Sequence, residues 1–203
     1  MSLFKTISTS LFSPKNGWKQ FNEDLPHIKV LTNYLIPLTI VAVVLVFLGK
    51  GILGRGILNF FNFPSYSIKY LVVQGINYSM LYATIIIGGA YLTTVLIENI
   101  FTGVFKVEKN FNKTFEFVAY SFTPICLATI CFIIPFMSWA FYLCTLYSLV
   151  LLLFAQMSRL ENKEMANGKK WGYSLVSMGI FYVVYWSLYG IFSPIFSYFI
   201  YIF

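Results

Sequence analysis

All formal charge in this 203-residue chain falls in four short zones: residues 5–29, 50–69, 98–116 and 159–170. Between them run four stretches without a single Asp, Glu, Lys, Arg or His. These are Val30 to Gly49, Tyr70 to Ile97, Phe117 to Ser158 and Trp171 to Phe203, of 20, 28, 42 and 33 residues. A helix rises about 1.5 Å per residue, so about 20 residues cross the roughly 30 Å hydrocarbon core of a bilayer. The first two runs therefore supply one span each. The third is long enough for two and carries Pro135 near its middle; proline lacks the backbone N–H a helix needs, so Pro135-Phe136-Met137-Ser138 reads as a tight turn. The last run supplies a span to about Ser193, after which Pro194 precedes an aromatic tail. The expected fold class is an all-α integral membrane protein. Its single membrane domain, 30–203, has five spans near 30–49, 70–97, 117–134, 138–158 and 171–193. Composition agrees: 59% hydrophobic and 10% charged, against about 45–50% and about 25% in soluble domains. A soluble enzyme is excluded, and so is a barrel, whose strands alternate apolar and polar residues over about ten positions.

Five spans put the two termini on opposite faces. One face carries eleven basic residues, from 1–29, 98–116 and 158–170; the other carries Lys50, Arg55 and Lys69. The excess predicts a cytoplasmic N-terminus and an exterior C-terminus. The segment before the first span does not read as a cleaved leader, because Lys5 and several hydroxyls interrupt Leu3 to Phe12. It reads instead as an N-terminal amphipathic helical segment over 1–29. Leu3, Ile7 and Leu11 share a helical face, and after Ser13-Pro14 the residues Trp18, Phe21, Leu25 and Ile28 recur every three or four positions. Two placements fit: flat on the inner membrane surface, or packed on the cytoplasmic end of the bundle. On the surface, Lys15 and Lys19 would meet anionic headgroups, as would Lys169 and Lys170 of the last basic zone. The 50–69 loop and the 194–203 tail fit on the membrane or within it.

Few residues point to chemistry. Gly49-Lys50-Gly51-Ile52-Leu53-Gly54 matches the dinucleotide-binding glycine pattern, but that pattern has meaning only between a strand and a helix. After a membrane span it reads as a flexible loop. Cys126, Cys131 and Cys144 sit within spans without a CxxC pair, and His27 is the only histidine, so no metal or cofactor is expected. No ionisable residue falls inside a predicted span, which argues against a carboxylate-coupled pump. Glu98 closes the second span and Glu116 opens the third. Both read as interface charges, Glu98 within reach of Lys106, Lys109 or Lys113. Gly75, Ser79 and Ala83 form a stripe of small residues suited to close helix packing. A candidate polar crevice comprises Gln74, Asn77, Ser121 and Thr123, with Pro37 and Pro124 each freeing a carbonyl inside a span.

Several short motifs occur in a fixed order. Phe12-Ser13-Pro14-Lys15-Asn16-Gly17-Trp18 comes first. Tyr34-Leu35-Ile36-Pro37-Leu38 follows, then Phe115 to Pro124 with its Ala119-Tyr120-Ser121-x-x-Pro124 core, and finally Leu146-Tyr147-Ser148. The set, centred on Pro14, Trp18, Pro37, Tyr120, Ser121 and Pro124, resembles the Ypt-interacting-protein (Yip) family in the form of its short bacterial members. The resemblance implies a membrane protein of the bacterial cytoplasmic membrane and transfers no catalytic residue. Eukaryotic members of the family bind Rab-type GTPases, but they carry an Asp-Leu-x-Gly-Pro motif; here only Asp24-Leu25-Pro26 stands near that place, so GTPase binding is not carried over. The leading expectation is a non-enzymatic membrane-organising or adaptor protein. Its basic cytoplasmic face would engage anionic lipid headgroups or a protein partner, and not nucleic acid. The alternative is a transporter of a small solute or lipid through the crevice.

Overall fold

The computed structural model describes residues 7–8, 11–12, 18, 25–53, 67–134, 137–161 and 165–202. Within them lie five helices long and apolar enough to cross a membrane: α1 (His27–Leu53), α2 (Ile68–Ile100), α3 (Phe111–Phe132), α4 (Trp139–Leu160) and α5 (Asn167–Tyr198). The described residues contain no strand. α2 packs on α1, α3 and α5, and α4 packs on α3 and α5. α3 is the central helix, with 83% of its apolar window buried against 22% for α5. The outward faces of α4 and α5 are apolar and aromatic, with Trp139, Leu143, Leu146, Val183 and Ile191 all more than half exposed. This is the surface of a protein solvated by lipid.

Charge-free runs underestimate the helices. α3 begins at Phe111 rather than near 117, so Glu116 lies inside the helix instead of opening it, and it is 1% exposed. Asn110 caps this start, its Oδ1 accepting from Lys113 N at 3.0 Å. The α3–α4 turn falls where the proline placed it, since helix ends at Phe132 and resumes at Ser138; Pro135 and Phe136 are outside the described residues. The last helix runs through Pro194 to Ile202, so the tail continues the helix.

Prolines and glycines shape the bundle in two places. α1 widens into π-type turns over Leu31–Leu35, just before Pro37, whose ring needs room against the carbonyl four residues back. The expected flexible loop at Gly49 is also helical: Phe47–Leu53 continues α1 as a second π-type segment. Its glycines serve close approach. A Cβ at Gly49 would lie 2.6 Å from the Phe132 carbonyl carbon, and one at Gly51 would lie 2.9 Å from the Gly75 Cα. The small-residue stripe on α2 is the other half of that contact, with Ser79 donating to the Val43 carbonyl at 3.1 Å.

Candidate functional site

Among the described residues, the acidic side chains of the helices meet Arg159 at one end of the bundle. α2 closes with a π-type turn over Ile97–Phe101, in which the Thr102 N–H bonds the Ile97 carbonyl and the Thr102 hydroxyl donates to the Glu98 carbonyl. The chain then turns at Lys106, in the left-handed region at φ 55°. Val107 N reaches back to the Thr102 carbonyl at 2.9 Å, the usual way a helix end is closed. This turn brings Asn110 beneath Glu98, where its N–H donates to Glu98 Oε2 at 2.8 Å. Arg159, one residue from the end of α4, donates from Nη1 to Glu98 Oε1 at 2.9 Å. The same nitrogen reaches Thr114 Oγ1 on α3 and the Tyr173 hydroxyl on α5, while Nη2 donates to the Glu108 carbonyl at 2.7 Å. Thr114 in turn donates to Glu98 Oε1. One guanidinium therefore joins four helices, with side-chain exposure of 7% for Arg159 and 5% for Glu98.

The sequence expectation for Glu98 is corrected here. Its partner is Arg159, not Lys106, Lys109 or Lys113. The pair requires contacts on several sides at once, which the planar fork of arginine provides and a lysine ammonium does not. Lys113 serves Glu116 instead, at 3.1 Å, and Tyr120 hydrogen-bonds the same carboxylate. Glu98 and Glu116 are both buried in the bundle rather than set at its surface. Arg159 was missed as a site residue, although one signal marked it: arginine occurs only at 55 and 159 in a chain with twelve lysines. His27 is held at the same end by Asn112. Its N–H donates to Asn112 Oδ1 at 3.1 Å, and Nδ1 lies 2.9 Å from the same oxygen.

A second cluster lies around Tyr120, farther into α3. Pro124 has no N–H to offer the Tyr120 carbonyl, and the Thr123 hydroxyl takes that carbonyl at 2.5 Å. Thr123 Oγ1 also pairs with the Tyr34 hydroxyl of α1 at 2.5 Å, and the Tyr34 ring stands edge-on to Tyr120 with centroids 4.5 Å apart. Trp18 is 2% exposed; it stacks on Tyr120 at 6.2 Å and meets Phe117 edge-on at 5.4 Å. Leu11 sends its carbonyl to the Tyr147 hydroxyl of α4 at 2.5 Å. Tyr147 precedes Arg159 by twelve residues, about 18 Å of helix. The described part of the N-terminal segment thus packs into the bundle well away from the Arg159 end, with Ile7, Leu11 and Leu25 against the core. Of the two placements, the described residues fit packing on the bundle, whose aromatic interior buries Trp18. Pro14, Lys15 and Lys19 are outside the described residues.

The four crevice residues do not converge. Ser121 donates to the Phe117 carbonyl and Thr123 to that of Tyr120, so both hydroxyls are used within α3. Gly89 of α2 packs on the Phe122 ring, which sets Ser121 and Thr123 near the level of residue 89. Asn77 lies twelve residues away along α2, about 18 Å. Gln74 and Asn77 are buried near the other end of the bundle, and Gln74 Oε1 and Asn77 Nδ2 have no hydrogen-bond partner among the described residues. Cys126 is buried, and Cys131 and Cys144 are partly so.

Around the Glu98–Arg159 pair, Lys106, Glu108, Lys109, Glu161 and Lys169 are exposed. Beside them a groove of about 440 Å³ opens between α4 and α5, its wall formed by Phe154, Met157, Ser158, Glu161, Asn167, Lys170 and Trp171. Lys170 Nζ donates to the Glu161 carbonyl at 3.3 Å. In comparison with known proteins, the family model of the Yip1 domain matches residues 8–191. No curated protein and no solved structure matches the chain.

Proposed function

Because the chain belongs to the Yip1-domain family of membrane proteins, we propose that it is a non-enzymatic membrane organiser or adaptor whose basic end, facing the cytosol, engages anionic lipid headgroups or a protein partner. One observation carries the reading. In the described helices, the buried acids Glu98 and Glu116 and the Arg159 guanidinium are bound to one another or to neighbours at a single end, while lysines surround that end on the outside. A charge held by a neutralising partner and several hydrogen bonds is a fastening, not a carrier that must be loaded and released. Lys106, Lys109 and Lys169 extend from it into the zone where headgroups and cytosolic proteins are met. The groove beside Lys170 and Trp171 adds an apolar floor edged by Lys170 and Glu161, which suits a partner that buries a few side chains or an acyl chain.

A photo-crosslinker placed at exposed Lys109 in native membranes is expected to trap a discrete protein or anionic-lipid adduct. Changing Lys15, Lys19, Lys169 and Lys170 together to glutamine should lower its yield at least about tenfold, since each basic residue near an anionic surface contributes on the order of 1 kcal/mol. Absence of any adduct from the unsubstituted protein would overturn the proposal.

A further inference from the structure

The groove of about 440 Å³ at the Arg159 end lies between two helix ends of opposite polarity. α4 finishes there, at Leu160 with Glu161 as its C-cap, and α5 starts there at Asn167. Among the described residues that line it, Glu161 and Lys170 are charged, one of each sign. We infer that this groove is a lipid site, holding the zwitterionic headgroup of phosphatidylethanolamine with the start of an acyl chain beneath it. The site needs only that the bundle spans a bilayer, and it stands whether or not the basic end recruits a partner.

Charge complementarity selects the headgroup. A phosphate is favoured by the Lys170 ammonium and by the N-terminal end of α5. An ammonium is favoured by the Glu161 carboxylate and by the C-terminal end of α4. Phosphatidylethanolamine carries both groups a short link apart. Lys170 Nζ gives one hydrogen bond to the Glu161 carbonyl at 3.3 Å; an ammonium has three N–H donors, which leaves capacity for a phosphate oxygen. A carboxylate accepts at about four positions, so a lipid ammonium joins whatever donors Glu161 already holds. The methylated ammonium of phosphatidylcholine has no N–H to give it. An anionic headgroup such as phosphatidylglycerol brings nothing to offset the carboxylate.

Depth and size agree with a lipid. α4 crosses the membrane over Trp139–Leu160, 22 residues and so about 33 Å of helix, close to the roughly 30 Å hydrocarbon core. Glu161, just past its end, is therefore at headgroup level, and Phe154, seven residues earlier in the groove wall, lies about 10 Å deeper. On α5 the neighbour of Lys170 is half-exposed Trp171, a residue type that marks the membrane interface. The polar end of the groove thus meets headgroups, and its apolar end, at Phe154 and Met157, meets acyl chain. The volume falls within the roughly 300–1,000 Å³ usual for small-molecule sites.

The test uses the full chain in phosphatidylcholine nanodiscs containing equal minor fractions of phosphatidylethanolamine and phosphatidylglycerol, with retained lipid counted by native mass spectrometry. The wild type should retain phosphatidylethanolamine in preference to both other lipids. Lys170→Gln should lower that retention about fivefold, as for loss of a partly exposed charge pair. Glu161→Gln should lower it similarly and raise retention of phosphatidylglycerol, because the carboxylate that repels an anion is gone. Glu161 is exposed and Lys170 half-buried, so neither change unfolds the bundle. Lys69→Gln, exposed at the other end, should leave retention unaltered. Wild-type preference for phosphatidylglycerol, equal retention of the three lipids, or phosphatidylethanolamine retention unaffected by either Lys170→Gln or Glu161→Gln overturns the inference. The adduct at Lys109 in native membranes is a separate readout, so failure of this site and failure of the adaptor role are told apart.

Discussion

Replacing Arg159 by alanine is expected to destabilise the folded bundle by about 3–5 kcal/mol, the usual cost of leaving one member of a buried ion pair without its partner. Glu98 would keep the Asn110 N–H and the Thr114 hydroxyl, but its charge would stay buried without a cation, and Tyr173 and the Glu108 carbonyl would lose a donor. Arg159→Lys should recover only part of the loss, because one ammonium cannot reach α2, α3, α5 and the Glu108 carbonyl together. The double variant Glu98→Gln/Arg159→Met should recover most of it. Such a pair removes both charges, and a buried ion pair contributes little beyond what well-packed neutral groups provide, while the glutamine oxygen still accepts from Asn110. Thermal unfolding in detergent, followed for all three variants, checks this ordering. A wild-type midpoint for Arg159→Ala would show that the pair does not hold the helices together.

The second large effect is at the N-terminal segment. Trp18→Ala should cost about 3–5 kcal/mol, as for other fully buried tryptophans, because it empties the space between Phe117 and Tyr120. Phe12→Ala is the control: Phe12 is 82% exposed, and its loss should fall within about 0.5 kcal/mol. Were the segment only resting on lipid, Trp18→Ala would change membrane partitioning of that segment and leave the unfolding of the bundle unaltered. The same thermal measurement separates the two.

Much of this architecture was legible because charge is so costly in hydrocarbon that its absence marks the spans. Five spans and the α3–α4 turn at Pro135 follow from that rule and from the chemistry of proline. The rule breaks at helix ends. It placed the start of the third span after Glu116, whereas a carboxylate held by Lys113 and Tyr120 is tolerated inside the helix. Gly49 and Gly51 suggested a loop, because composition does not reveal that another backbone comes within contact of them. Gln74, Asn77, Ser121 and Thr123 looked like one crevice because polarity was considered without depth. Glu98 was recognised as a charge of interest, yet its partner lies 61 residues away in sequence, beyond the reach of any local pattern. The motifs of the Yip resemblance carried the most long-range information. Trp18, Tyr34, Tyr120 and Thr123, scattered along the chain, come together in one cluster, and Tyr147 of the fourth span holds Leu11.

The account rests on a five-span bundle whose Glu98–Arg159 end faces the cytosol. In a chain whose three native cysteines are replaced, single cysteines at Lys109 and Ile68, both exposed, can be probed with a membrane-impermeant maleimide on intact cells and after permeabilisation. The account predicts that Ile68→Cys is labelled on intact cells and Lys109→Cys only once the membrane is opened. Labelling of both from the same side, or the reverse pattern, would contradict it.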